Sequence, residues 1–147
     1  MPAGTHLGRP ARGRGAAVRR RHHGLAPTAA GPRFLLLHRA HLENPGATDW
    51  AWGPPAGARL PREAIDACAA RELLEETGIK GPPQLTAHGQ THWPLYMLRL
   101  DAPRAVRLSD EHDAFQWADA ATVRALVWPE NVQAPVVALA AELAGAR

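Results

Sequence analysis

Apolar residues in this chain fall into short runs set between glycine- and proline-rich stretches, and the period of each run predicts its element. Ala16 to Arg21 reads as a short strand, His22 to Pro32 as a Gly/Pro-containing turn region, and Phe34 to His38 as a stronger apolar strand; together they predict a hairpin. Residues 41–62 contain Pro45, Gly46, Gly53, Pro54, Pro55, Gly57 and Pro61, too many breakers for regular structure, so a long loop is expected there. Loops of that length inside a compact domain usually carry function. Glu63 to Thr77 is built almost wholly of helix formers and is followed by Gly78, a left-handed stop. Leu85 to His92 and Leu95 to Leu100 read as strands separated near Pro94, and Ala114 to Ala118 as another. Asp119 can cap a helix running to about Val127, and Glu130 to Ala144 forms an Ala-rich helix after Pro129. No internal repeat is present. Strands on both sides of the long helix, with helices again at the end, predict an α/β class fold with two helical layers around a mixed sheet.

Composition sets bounds on this picture. A chain of 147 residues, 46% hydrophobic and 21% charged, fits one domain, placed at residues 16–147 behind a flexible basic tail at 1–15. Its core is large enough to be stable without disulfides or a structural metal. The single Cys68 excludes a disulfide framework and a Cys-rich zinc site, suits a reducing compartment, and reads as a small buried helix residue. No apolar run approaches the roughly 18–20 residues of a membrane span, and no apolar stretch follows the basic start to act as a secretory signal. A soluble, cytoplasmic protein is expected, with no membrane partner. Ser109 is the only serine and lacks the glycines of a nucleophile elbow, which removes serine-hydrolase chemistry.

Charge is divided unevenly. Residues 1–42 hold eight Arg and no acid; the remainder carries 9 basic against 14 acidic side chains, a net of −5 within an overall +3. The basic front end lacks the interleaved aromatics of a single-strand stacking surface, so nucleic acid is not the expected partner. The acidic remainder carries the chemistry. Arg71-Glu72-Leu73-Leu74-Glu75-Glu76 sets three acids at i, i+3 and i+4, which a helix brings within about a 100° arc. Like charges so placed repel. Arg71 can pair with Glu75, but one guanidinium does not neutralise three carboxylates, and a hard divalent cation with oxygen ligands is the simplest further counter-charge. A solvated acidic helix face is the alternative on this segment alone.

Gly57, Glu63, Arg71, Glu72, Leu73, Glu75, Glu76, Gly78 and Ile79 stand at the nine fixed positions of the Nudix hydrolase signature, and by these residues the chain resembles that family. The flanking Trp52-Gly53-Pro54-Pro55-Ala56 and Phe34-Leu35-Leu36-Leu37-His38-Arg39 agree, and the resemblance extends loosely over residues 16–145. It implies a Nudix-type α/β/α sandwich with a mixed β-sheet. The implied activity is metal-dependent hydrolysis, by water attack on phosphorus, of a nucleoside diphosphate linked to another group. By position, the resemblance makes Glu72, Glu75 and Glu76 metal ligands, together with the carbonyl of Ala56. Arg71 would orient the carboxylates, Glu63 would support the loop, Gly57 would permit the turn and Gly78 would close the helix. Magnesium or manganese is the implied ion. Two positions depart from the family pattern: Ala56 and Arg62 stand where glycine is common, and either would strain the loop by about 1 kcal/mol if its position needs positive φ.

Outside the signature, Glu111 in Asp110-Glu111-His112 is similar to a late loop acid that faces the metal helix in several members, as a ligand or as the base. Glu72 or Glu75 could serve as base instead. His112 and Asp113 read as packing or capping residues. Arg39, Trp52 and Tyr96 are the expected substrate contacts, and Trp50, Trp52 and Trp93 could stack on a base. Substrate markers diverge. Pro94 is reminiscent of ADP-ribose hydrolysing members, Tyr96 of diadenosine polyphosphate hydrolysing ones, and Trp128-Pro129-Glu130-Asn131 of nucleoside or pterin triphosphate pyrophosphatases. A nucleoside triphosphate or dinucleoside polyphosphate is the expected small-molecule partner. ADP-ribose or nucleotide-sugar hydrolysis and a non-catalytic nucleotide-binding domain stand as alternatives, and a homodimer is open.

Overall fold

The computed structural model describes residues 16–20, 31–44, 46–91, 93–101 and 104–145. The basic segment 1–15, most of the expected turn at 22–32 and His92 lie outside them. The elements are β1 (Ala16–Arg20), β2 (Arg33–Arg39), β3 (Trp52–Gly53), α1 (Ile65–Thr77), β4 (Gln84–Gln90), β5 (Trp93–Leu100), β6 (His112–Ala118), α2 (Ala120–Leu126) and α3 (Glu130–Gly145).

β2 is the centre of the sheet. β6 runs antiparallel along one of its edges from Phe34 to Arg39, while β1 and β3 divide the other, pairing at Arg33–Phe34 and at Leu37–His38. β1 continues the sheet by parallel pairing with β5, which pairs antiparallel with β4, so the sheet is mixed. A strand covered on both faces reads as a continuous apolar run rather than an alternating one, which is why Phe34, Leu35, Leu36 and Leu37 are all buried. Leu35 and Leu37 pack with Ala69 and Leu73 of α1 and with Ile79, Tyr96 and Leu100. Phe34 and Leu36 pack with Val123 of α2 and Val136, Leu139, Ala140 and Leu143 of α3. Each such burial is worth roughly 1.5–3 kcal/mol, so one strand ties both helical layers to the sheet. The result is an α/β/α sandwich, and no helix among the described residues is long and apolar enough to cross a membrane.

Several boundaries differ from the sequence reading, each for a local reason. β5 runs through Pro94, which is tolerated near the strand start because pairing with β1 begins only at Tyr96. β6 starts at His112 instead of Ala114, because Arg39 pairs with His112. The loop at 41–62 contributes the short β3. α1 starts at Ile65, so Glu63 belongs to the loop, where its carboxylate accepts the Leu60 N–H at 2.9 Å. Gly78 does close α1, at φ 74 with its N–H donated to the Leu74 carbonyl. Asp119 caps α2, accepting from the Thr122 N–H at 2.9 Å and from its hydroxyl at 2.7 Å.

These bonds from Thr122 lower the Asp119 pKa, so its carboxylate stabilises the fold above the ordinary aspartate range and ceases to do so as pH falls through the lowered value. Asp119→Ala should therefore cost about 1 kcal/mol at pH 7 and progressively less below about pH 4, as read by urea denaturation at the two pH values.

Candidate active site

The site is built from the loop ahead of α1, the middle of α1 and the ends of β2 and β6. Arg71 projects from α1 toward the loop and divides its fork between that loop and its own helix. Its Nε and Nη2 donate to the two Glu63 carboxylate oxygens at 2.7 and 2.9 Å, Nη2 also to the Ala58 carbonyl at 3.0 Å, and Nη1 to Glu72 and Glu75 at 3.1 and 3.2 Å. The Glu63 pair is bidentate, the strongest geometry for this ion pair. It holds the Glu63 pKa down at about 2 and raises that of Arg71. Arg71 therefore staples the loop to the helix and orients the outer carboxylates.

The inner carboxylates are compensated less. Glu76 is only 3% exposed, and its Oε1 accepts the Ala56 N–H at 3.0 Å. Burial, then the Glu72 charge, push its pKa well above the carboxylate range despite that bond. Glu72 is pushed up to about 7, first by burial and against the pull of Arg71, with Glu75 and Glu111 adding to the rise. Gly57 is what lets Glu72 lie where it does. A Cβ built at Gly57 would fall 0.8 Å from Glu72 Oε2, so this glycine serves close approach, and its role is space rather than the turn conformation first assigned to it. Of the two departures from the family pattern, Arg62 adopts the left-handed region at φ 64, so its position does need positive φ, whereas Ala56 does not.

Opposite α1, Arg39 is half-buried, with its pKa lowered to about 10 by desolvation against the attraction of Glu76 and Glu111. Its guanidinium lies 5.9 Å from the Trp50 ring centroid. Glu111 and His112 enter at the start of β6, and donor-capable atoms of Glu76, Glu111 and His112 lie within 4.8 Å of one another. Burial, then the Arg39 charge, lower the His112 pKa to about 4, so the imidazole is neutral at neutral pH. Glu72, Glu76 and Glu111 thus converge with one arginine, Arg39, on their inner side. An oxygen-rich set with surplus negative charge fits a hard divalent cation, and Mg²⁺ or Mn²⁺ matches that chemistry.

The structure brings Arg39, Ala56, Gly57, Glu63, Arg71, Glu72, Glu75, Glu76 and Glu111 into one locality, Glu75 at its solvent side with 56% of the side chain exposed. It does not bring Tyr96 there. Tyr96 is 2% exposed, packed among Leu35, Leu37 and Leu73, with its hydroxyl donated to Asp66 in the first turn of α1; the expected substrate contact is a core residue because the inward-facing register of β5 buries it. Trp52 pairs with His38 and leans on that ring at 4.9 Å, packed toward the α2–α3 layer. Trp50 instead lies beneath Arg39, edge-on to Trp93 at 5.9 Å. Cys68 is buried and its thiol pKa rises to about 11, first through desolvation, which agrees with a structural residue. His112, read as packing, is the residue that sequence reasoning passed over, because strand alternation counted back from Ala118 puts it on the other face.

Residues 13–139 match the NUDIX domain model. Comparison with curated proteins finds no match. Among solved structures, the chain is similar to a C. elegans Ap4A hydrolase in binary complex (TM-score 0.68, 23% identity, 89% of this chain and 97% of that one). It is similar also to the M. smegmatis Nudix hydrolase RenU (0.64, 21%, 90% and 85%). A third is the E. coli dihydroneopterin triphosphate pyrophosphohydrolase (0.57, 19%, 90% and 95%). With the domain match spanning most of the chain and the acids of the signature gathered at one site, the protein belongs to the Nudix hydrolase family.

Proposed function

We propose that this protein is a divalent-cation-dependent pyrophosphohydrolase that cleaves a nucleoside diphosphate linked to another group, with a nucleoside triphosphate or dinucleoside polyphosphate as substrate. The observation that carries the reading is the gathering of Glu63, Glu72, Glu75, Glu76 and Glu111 around only two arginines, Arg39 and Arg71, which leaves formal negative charge in surplus. Glu72, Glu75, Glu76, Glu111 and the Ala56 carbonyl would hold Mg²⁺ or Mn²⁺. Bound there, the ion supplies positive charge to phosphoryl oxygens and acidifies water. The chain supplies the rest. The Ala56 N–H and Arg71 hold the carboxylates in place before substrate arrives, which removes reorganisation from the reaction. Arg39 offers a guanidinium to phosphate oxygens, and Trp50 beside it offers a ring to a base. Glu75, solvent-facing on the same helix face, takes the proton of the attacking water. The Trp128-Pro129-Glu130-Asn131 segment, reminiscent of nucleoside or pterin triphosphate pyrophosphatases, is what favours a polyphosphate over ADP-ribose.

A panel of nucleoside triphosphates, dinucleoside polyphosphates and nucleotide sugars, assayed with Mg²⁺ and with Mn²⁺ and with products identified, tests this directly; no turnover of any member would reject it. Glu75→Gln should lower kcat about 10²–10³-fold and weaken cation binding less than Glu76→Gln does, whereas Glu76→Gln should lose cation binding by calorimetry and kcat/KM together.

Gly57→Ala should leave thermal stability within about 1 kcal/mol of the parent, since the added methyl meets the Glu72 side chain and no backbone, yet match Glu72→Gln in lost activity.

For the metal-free protein, a folded pKa of about 7 against an ordinary 4.5 means that Glu72 favours folding below about pH 4.5 and loses that contribution as pH rises through 7. His112 works the other way between about pH 6.5 and 4, so the comparison needs a variant. In EDTA, Glu72→Gln should gain on the parent by of order 2 kcal/mol between pH 5 and 8, and saturating Mn²⁺ should erase that gain.

A further inference from the structure

We propose that His112 is a nitrogen ligand in this site, completing a Glu76–Glu111–His112 set that holds one divalent cation and favours Mn²⁺ over Mg²⁺. This rests on the metal-dependent reading above and adds to it a residue and a metal preference.

Three observations support it. The first is proximity: a ring nitrogen of His112 lies within 4.8 Å of carboxylate oxygens of both Glu76 and Glu111, a spread that a single ion can span. The second is an unused polar atom: His112 Nδ1 is buried and has no hydrogen-bond partner, a costly state for a ring nitrogen unless something outside the chain engages the imidazole. The third is how the sheet aims the residue. Along β2 and β6 the pairs run Phe34 with Ala118, Leu35 with Trp117, Leu36 with Gln116, Leu37 with Phe115 and His38 with Ala114; the next pair is Arg39 with His112. Asp113 is therefore an extra residue on β6, a bulge. Without it, Asp113 would face Arg39, and His112 would share the face of Ala114 and Ala118, toward α2 and α3. Directly paired residues lie on one face of a sheet, so the bulge turns His112 to the face of Leu35, Leu37 and Arg39, which α1 covers with Glu76. Asp113 is turned the other way, its Oδ1 lying 2.7 Å from His38 Nδ1. A bulge that moves an imidazole from one helical layer to a carboxylate pair is a specific device for ligation. Imidazole discriminates among cations: Mg²⁺ prefers oxygen donors and keeps its waters, whereas Mn²⁺ stands in the transition series that accepts nitrogen.

Pulsed electron paramagnetic resonance of the full chain with one equivalent of Mn²⁺ and no substrate tests this without relying on activity. A ¹⁴N coupling should be seen, should convert to ¹⁵N when histidine alone is labelled, should vanish in His112→Gln, and should persist in His38→Gln. Calorimetry should show the Mn²⁺ affinity of His112→Gln reduced about tenfold or more, with Mg²⁺ affinity changed much less. The melting temperature of the metal-free variant reports whether its fold is intact, and the parent spectrum needs no variant at all. Mn²⁺ bound without nitrogen coupling, or with a coupling that survives His112→Gln, overturns the role of His112 and leaves the carboxylate site standing. No Mn²⁺ uptake by the parent overturns both.

Discussion

Carboxylates crowded on one and a half turns of helix repel one another, and the architecture of this site follows from how each is compensated. The outer ones receive Arg71, whose guanidinium bridges Glu63, Glu72 and Glu75 and has no hydrogen left for the interior. Glu76, at the dry end, receives a single backbone N–H from Ala56. A neutral donor offsets only part of the cost of burying a charge, so burial and mutual repulsion raise the pKa of Glu76 and of Glu72, and positive charge brought to the site would favour their ionised forms. That unmet demand distinguishes a cation site from a solvated acidic face, where water would have met it.

The loop ahead of α1 exists in service of that arrangement. It carries Glu63 to Arg71, the Ala56 N–H to Glu76, and the absent side chain of Gly57 to the space Glu72 occupies. Its path requires a left-handed residue at Arg62, a non-glycine where strain of about 1 kcal/mol is retained. The bidentate Arg71–Glu63 pair, between side chains that are largely shielded from solvent, is strong enough to hold the loop in that path. Strain near a functional site persists where neighbours over-determine the backbone, and here those neighbours are the network that the site itself needs.

Much of the fold was legible because its signals are local. The run Phe34 to Leu37 announces a strand covered on both faces, Gly78 a helix end and Asp119 a cap, and each depends on residues close in sequence. Glu72, Glu75, Glu76 and Arg71 were legible as a group for the same reason, since helical period alone places them on one face. Tyr96 is buried although its spacing resembles that of a substrate contact, because spacing from the signature carries no information on which side of β5 faces the core. A glycine in a sequence does not declare whether φ or space is at stake, and at Gly57 it is space.

What the sequence determined by itself was therefore the carboxylate helix, the surplus charge it carries and the order of elements around it, all products of composition and short-range period. Tertiary structure decided which acids are dry, that Arg39 and Glu111 close the far side, that Trp50 rather than Trp52 lies under Arg39, and that His112 comes beside Glu76 and Glu111. Those outcomes depend on the register between β2 and β6 and on one extra residue in that ladder. A strand's faces alternate with period two, so a single bulge reverses every inference counted across it, and only the paired strands reveal where the count breaks.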